Sequence, residues 1–338
     1  MHSRPSSYQE TSDAVQSSEM LFRAFLLFKA MVLGAQTLSP GVPPAFPAGR
    51  FYAPYIMTRS AANLAQISVD SGIRYFTLAF VLDGGGCTAS WGSRTRVTEE
   101  AVLMPAIDAL RGQGGDVLIS FGGEAGRELA IGCDNASALQ AQYQAVIDKY
   151  KVSVLDLDIE GKSLDDTASV DRRNVALAAI QAANPAVQVS YTLPAATDGL
   201  NRGGIALLNN AMAHGVRVGV VNLMTMDYGG TADPLAMGAY AISAVNGAAA
   251  QMLDNGIRSR IGIIPMIGLN DVKPEVFSLS DARAMMDWAQ ANPVVSRVSM
   301  WSVERDLACT EGTARAASSC SGVAQQKYEF SKVLNTFH

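Results

Sequence analysis

The chain has 338 residues, 49% of them hydrophobic and 17% charged, with a formal net charge of −5. That is the composition of an ordinary globular chain, enough for one large domain or two small ones, and it lacks the basic balance or patch of a nucleic-acid binder. With only His2, His214 and His338 present, acid–base chemistry has to rest mainly on carboxylates and a His-rich metal site is excluded.

Residues 1–38 form an N-terminal extension. Its first part is polar and aperiodic. From Met20 it reads M-L-F-R-A-F-L-L-F-K-A-M-V-L-G-A, the outline of a signal peptide and too short and too charged to span a bilayer. Residues 39–49, S-P-G-V-P-P-A-F-P-A-G, read as a Pro/Gly-rich linker. From residue 50 the chain alternates. Strand-like runs fall at 51–56, 75–82, 116–121, 154–159, 187–193, 218–224, 261–267 and 298–303. Amphipathic segments lie between them at 99–113, 137–149, 171–184, 205–214, 238–255 and 280–292, the last opened by Ser280. Eight strands alternating with helices predict an α/β protein, a (β/α)8 TIM barrel over 50–338, as a single catalytic domain without an insertion domain. A doubly wound open sheet is the alternative, but no glycine-rich phosphate loop follows the first strand.

The stretch that carries chemistry is 152–161, V-S-V-L-D-L-D-I-E-G. Strict alternation from Leu155 puts Asp156, Asp158 and Glu160 on one face of a central strand. Three acids lined up in a core repel one another and lose hydration, so at least one should hold a proton near neutral pH, as a general acid must. In a barrel, chemistry sits at the C-terminal ends of the strands. The third strand ends S-F-G-G-E (120–124), with Gly123 allowing close approach and Glu124 read as a solvated loop residue. The sixth ends in Met224, Met226, Asp227 and Tyr228, and the eighth brings Trp301. Tyr55 and Phe80 end the first two strands and could flank a ligand. Trp91 could line the cleft or cover the barrel end, and Trp288 reads as helix packing. Aromatic rings beside paired acids suit a sugar-cleaving site.

These motifs resemble those of the family-18 glycoside hydrolases, the chitinases and their relatives. The alternating acids match at Asp156, Asp158 and Glu160, the S-x-G-G of the third strand at Ser120, Gly122 and Gly123, the Met-x-Tyr-Asp of the sixth at Met224 and Asp227, and the terminal Trp at Trp301. The chain departs from the pattern at Ser153 and Val154, where an Asp and a Gly are usual, and at Met226, where a Tyr is usual; Tyr228 is the nearest replacement. The resemblance implies a retaining, substrate-assisted mechanism in which Glu160 protonates the glycosidic oxygen, the substrate's acetamido oxygen attacks, Asp158 orients it and Asp156 holds Asp158. It implies chitin or N-acetylglucosamine oligosaccharides as substrate, with no metal and no cofactor. An endo-β-N-acetylglucosaminidase of glycoproteins and a non-catalytic chitin-binding lectin are the alternatives; the lectins characteristically lack an acid at position 160.

Cys87, Cys133, Cys309 and Cys320 lie in loop-like surroundings and suggest two disulfides in a secreted, extracellular protein, with Cys87–Cys133 and Cys309–Cys320 the favoured pairing and four free thiols the alternative. No membrane span and no nucleic-acid partner is expected, and the chain is expected to be a monomer. The short connection between the seventh and eighth strands leaves the cleft open at both ends, which suits endo-type cleavage.

Overall fold

The computed structural model describes residues 46–338 apart from 48, 230–232, 311–312 and 314. The expected leader at Met20 and most of the linker at 39–49 lie outside the described residues. All described residues belong to one compact unit, Pro43–His338. Within the expected linker, Phe46 is buried and its ring sits 5.4 Å from Phe51 and 5.3 Å from Tyr75. The packed unit therefore extends to Phe46, ahead of residue 50, because an aromatic ring here covers the foot of the barrel.

Eight parallel strands close on themselves, so the open-sheet alternative is excluded. β1 is split into Phe51–Tyr52 and Tyr55–Met57; the first piece pairs with the last strand and the second with β2. β2 is Tyr75–Asp83, β3 Asp116–Gly122, β4 Val154–Asp158 and β5 Gln188–Ala196. β6 is Val218–Met224, β7 Arg260–Ile264 and β8 Val295–Val298. Each pairs in parallel with its neighbour in order. The outer helices are α1 Leu64–Ser71, α2 Leu103–Arg111, α3 Ala136–Tyr150 and α4 Thr167–Ala183. They continue with α5 Arg202–Ala213, α6 Met237–Asp254, α7 Leu279–Ala291 and α8 Glu329–Leu334.

Two boundaries move for stated reasons. The eighth strand lies earlier than 298–303, at Val295–Val298; the chain beyond it stays extended, with the Ser299 N–H donating to Ile263 and the Trp301 N–H to Pro265, both at 2.9 Å. α7 starts from Ser278 rather than Ser280. The Ser278 hydroxyl accepts from the Asp281 N–H while the Asp281 carboxylate accepts from the Ser278 N–H, the reciprocal cap that an S-x-x-D spacing makes. Trp288 packs from α7 against the core, as expected.

Between β7 and β8 the chain forms a small hairpin, Gly268–Leu269 with Val276–Phe277, and then α7. On the other side of the cleft, Ala89–Trp91 adds antiparallel to β2. The Cys87–Cys133 disulfide ties this excursion to the loop after β3, and Cys309–Cys320 closes a loop after β8. Glu128 and Arg173, both buried, meet at 2.8 Å, and Glu128 also caps the short helix Leu129–Gly132. The loop after β3 is thus held by a covalent link and an ion pair.

Candidate active site

The strand register builds the site in layers. Ser120 of β3, Asp156 of β4 and Ser190 of β5 stand side by side, and one step higher Gly122, Asp158 and Thr192 do the same. Alternation points all of them into the barrel. Asp156 is fully buried. It accepts from Tyr55 Oη at 2.8 Å, Ser120 Oγ at 2.8 Å, Ser190 Oγ at 2.6 Å, Thr192 Oγ1 at 3.1 Å and Asn222 Nδ2 at 3.0 Å. Five donors use up the roughly four acceptor sites of a carboxylate. Asp156 is therefore the fixed foot of the ladder.

Asp158, also buried, has an Oδ1 with no protein partner. Its side chain engages Glu160 above it rather than Asp156 below, and burial, then Glu160 and Asp156, push its carboxyl well above the usual range. Glu160 lies past the end of β4 and is half-buried. Burial raises its carboxyl too, with Glu124 and Asp227 adding to the rise and its hydrogen bond with Asp158 opposing it. Two neighbouring carboxyls that are both raised favour holding one proton between them. Asp156 stands apart from that pair, its acceptor sites filled by hydroxyls and an amide.

Above the ladder opens a cleft of about 720 Å³, lined by Tyr55, Phe80, Asp158, Glu160, Met224, Met226, Asp227 and Trp301 among others. That volume falls within the usual range for small-molecule sites. Phe80 and Trp301 stack with ring centroids 5.8 Å apart, and Tyr55 tilts against both at 5.8 and 5.9 Å. Gly123 does not line the cleft; it backs Phe80, since a Cβ there would meet the ring at 2.8 Å. Gly122 is required for a related reason, as a Cβ would fall 2.0 Å from the Asp158 carbonyl oxygen.

Two expected ligand contacts are corrected. Trp91 is buried in its antiparallel strand, its Nε1 donating to Tyr150 Oη at 2.7 Å, and it is not part of the cleft lining. Tyr228 also lies off the cleft: its ring packs 6.0 Å from Tyr240 and its N–H donates to Glu275 at 3.0 Å. Extrapolating strand alternation to Tyr228 fails because β6 ends at Met224 and Asp227 adopts a left-handed φ of 52°. Asp227 is fixed there by the N–H of Val272 donating to its Oδ1 at 2.8 Å, and burial, with Asp271 and Glu275 adding, raises its carboxyl. Glu124, read as a solvated residue, is exposed and stands on the rim. Sequence reasoning missed Met57, Met266, Asp271 and Val272, which also line the cleft; Met57 ends β1, where strand-end position was the available signal.

No family model matches the chain. It is 35% identical over 311 residues to the "Probable bifunctional chitinase/lysozyme" of Escherichia coli (strain K12), covering 85% of this chain and 34% of that protein. It is 35% identical over 279 residues to "Endochitinase 11" of Metarhizium anisopliae, covering 76% of this chain and 52% of that protein. The chain therefore spans about a third and about half of the length of these two relatives. Among solved structures, active domain 2 of the thermostable chitinase from Pyrococcus furiosus, crystallised as catalytic-site mutants complexed with chito-oligosaccharides, superposes with a TM-score of 0.77 at 30% identity, over 88% of this chain and 96% of that one. The chain belongs to the family-18 chitinases. Its acid ladder, aromatic floor and strand-end glycines are this family-18 chain's version of a barrel-mouth site. Its peculiarities are Met226 at the rim and a Tyr228 turned away from it.

Proposed function

We propose that this protein is a secreted, endo-acting chitinase, a glycoside hydrolase that cuts β-1,4 bonds between N-acetylglucosamine units with retention of configuration. The observation that carries the reading is the Asp158–Glu160 pair, both carboxyls raised, above a saturated Asp156 and beside the stacked rings of Phe80 and Trp301. Glu160, its carboxyl raised, gives its proton to the glycosidic oxygen as the C1–O bond breaks. The substrate's acetamido carbonyl oxygen forms the new bond to C1, and Asp158 accepts from the acetamido N–H and balances the charge of the oxazolinium ion. Water then attacks C1, its proton returns to Glu160, and the acetamido group is released. Asp227 serves at the rim, raising Glu160 and holding the loop that carries Val272. The chito-oligosaccharides in the Pyrococcus furiosus complex support the substrate class.

Two disulfides support export, together with the leader-like segment from Met20; we propose residues 1–38 as leader and extension, with the catalytic domain acting as a monomer.

Proton NMR of the first minutes of oligosaccharide hydrolysis tests the mechanism. The β-anomer should appear first, and a thiazoline mimic of the cyclic intermediate should compete with substrate. An initial α-anomer means direct attack by water and overturns the scheme. Release from a high-mannose glycoprotein but not from colloidal chitin would move the substrate to protein-linked glycans.

A further inference from the structure

β8 reads V-S-R-V from Val295, and its alternation turns Arg297 into the barrel with Ser299 and Trp301. A guanidinium is rarely placed in a barrel core without a purpose, because its desolvation costs several kcal/mol unless it is paired. Arg297 is 3% exposed, yet no salt bridge joins it to a carboxylate among the described residues. It reaches one through a hydroxyl instead. Arg297 Nη1 donates to Ser190 Oγ at 2.8 Å, and Ser190 Oγ donates to Asp156 Oδ1 at 2.6 Å. Both links run in one direction. The guanidinium can only donate, so the Ser190 proton must point at Asp156.

We propose that Arg297 is a positioning residue for the reaction proposed above: acting through the Ser190 hydroxyl, it supplies the countercharge that keeps Asp156 an acceptor-only carboxylate, so that the ladder's shared proton stays with Asp158 and Glu160. The other contacts of Asp156 come from neutral donors on β1, β3, β5 and β6. The titratable groups facing the ladder are Tyr55 from β1, Asp158 and Glu160 from β4, Glu124 from the loop after β3 and Asp227 from the end of β6. Each of these is neutral or negative, and Asp271 and Glu275 behind Asp227 add more negative charge. Arg297 is the cation at the foot of the ladder, beside Asp156 and Tyr55, whereas buried Arg305 lies nearer Asp271 and Asp227 at the rim; the Phe51 ring centre is 5.0 Å from the Arg297 guanidinium carbon. Burial lowers the pKa of Arg297 from its usual value, and Asp156 and Tyr55 work against that fall.

Removing the cation should make every carboxyl of the ladder easier to protonate. In Arg297→Met both limbs of the kcat–pH profile should move up, the acidic limb by about one pH unit or more, given a unit charge two hydrogen bonds away. Arg297→Lys should restore most of the profile. Ser190→Ala, which keeps the charge and cuts the relay, should move the acidic limb in the same direction by less. If Arg297→Met does not fold, the Arg297→Lys and Ser190→Ala pair decides. A fall in kcat with unmoved limbs in the folded variants leaves Arg297 a packing residue and overturns the inference. Carboxyl carbon NMR of Asp-labelled protein, wild type against Ser190→Ala, reads the Asp156 titration without any substrate. An unshifted titration overturns the inference on its own, whereas an enzyme inactive on chitin oligosaccharides but showing the shift would fail only the functional reading.

Discussion

Glu160→Gln should separate what this site does for catalysis from what it costs the fold. The glutamine fills the same space, and its amide can donate to the Asp158 carboxylate where a shared proton now sits, so the ladder should stay ordered. Loss of the general acid should cut turnover by about 10²- to 10⁴-fold, a barrier increase of roughly 2.7–5.4 kcal/mol at 1.36 kcal/mol per decade. The effect on stability has the opposite sign. Burial raises both carboxyls, Asp158 further by the charges of Glu160 and Asp156 and Glu160 further by those of Glu124 and Asp227, so the native state keeps protons that the unfolded chain releases. That contribution is fully present below the ordinary carboxylate pKa and is lost as pH rises through the raised values. The wild type therefore carries a stability deficit above neutrality that the neutral glutamine removes. A gain on the order of 1 kcal/mol is worth roughly 2 °C in a domain of this size. Thermal unfolding at pH 5 and pH 8, alongside initial rates on a chitin oligosaccharide, gives both quantities. More than half the wild-type rate, or a variant less stable than wild type at pH 8, refutes the shared-proton pair.

Trp301→Ala should weaken oligosaccharide binding by roughly 2- to 10-fold through the lost aromatic contact alone, which is worth about 0.5–1.5 kcal/mol; unchanged affinity by calorimetry would show that the stacked Phe80–Trp301 surface is not the sugar platform. The Cys87–Cys133 link spans 46 residues and Cys309–Cys320 spans 11, so by loop entropy their removal should cost about 4 and about 3 kcal/mol respectively. Denaturant melts of the two double Cys→Ser variants check the order, and a larger loss from the shorter loop would contradict it.

The ladder was legible because acids alternating with apolar residues inside an otherwise apolar run require a strand with one face turned to a polar interior, and register then fixed its neighbours. What could not be read was which hydroxyls and amides would surround Asp156. Tyr55, Ser120, Ser190, Thr192 and Asn222 come from four other strands, as far as 101 residues away in the case of Tyr55, and a single sequence does not print strand register. Arg297 lies just ahead of the expected strand at 298–303 and drew no reading, and its partner sits 107 residues earlier. Trp91 misled for a local reason: C-T-A-S-W-G-S has the composition of a loop, yet Ala89–Trp91 pairs with β2 and tucks the indole against Tyr150. Tyr228 misled because one left-handed residue, Asp227, undoes alternation that a periodic pattern assumes. α1 at Leu64–Ser71 went unmarked because two turns give too little periodicity to stand out.

The three acids differ in environment although they repeat at one spacing on one strand, and that difference assigns their work. Asp156 has no free acceptor, Asp158 has an oxygen with no protein partner, and Glu160 is open to the cleft. A carboxylate saturated by five donors cannot turn without breaking several hydrogen bonds, so whatever motion catalysis needs falls to Asp158. In the proposed scheme one Asp158 oxygen meets Glu160 and holds the proton ready, while Oδ1, which has no protein partner, is free to meet the acetamido N–H of a bound sugar. Holding two partners at Asp158, an acid above and a ligand beside it, needs a rigid floor, and the ring of hydroxyls around Asp156 provides it. Neutralising Asp156 would therefore disturb the reaction without touching the sugar, because a protonated foot would offer Asp158 a donor from below and draw it away from Glu160.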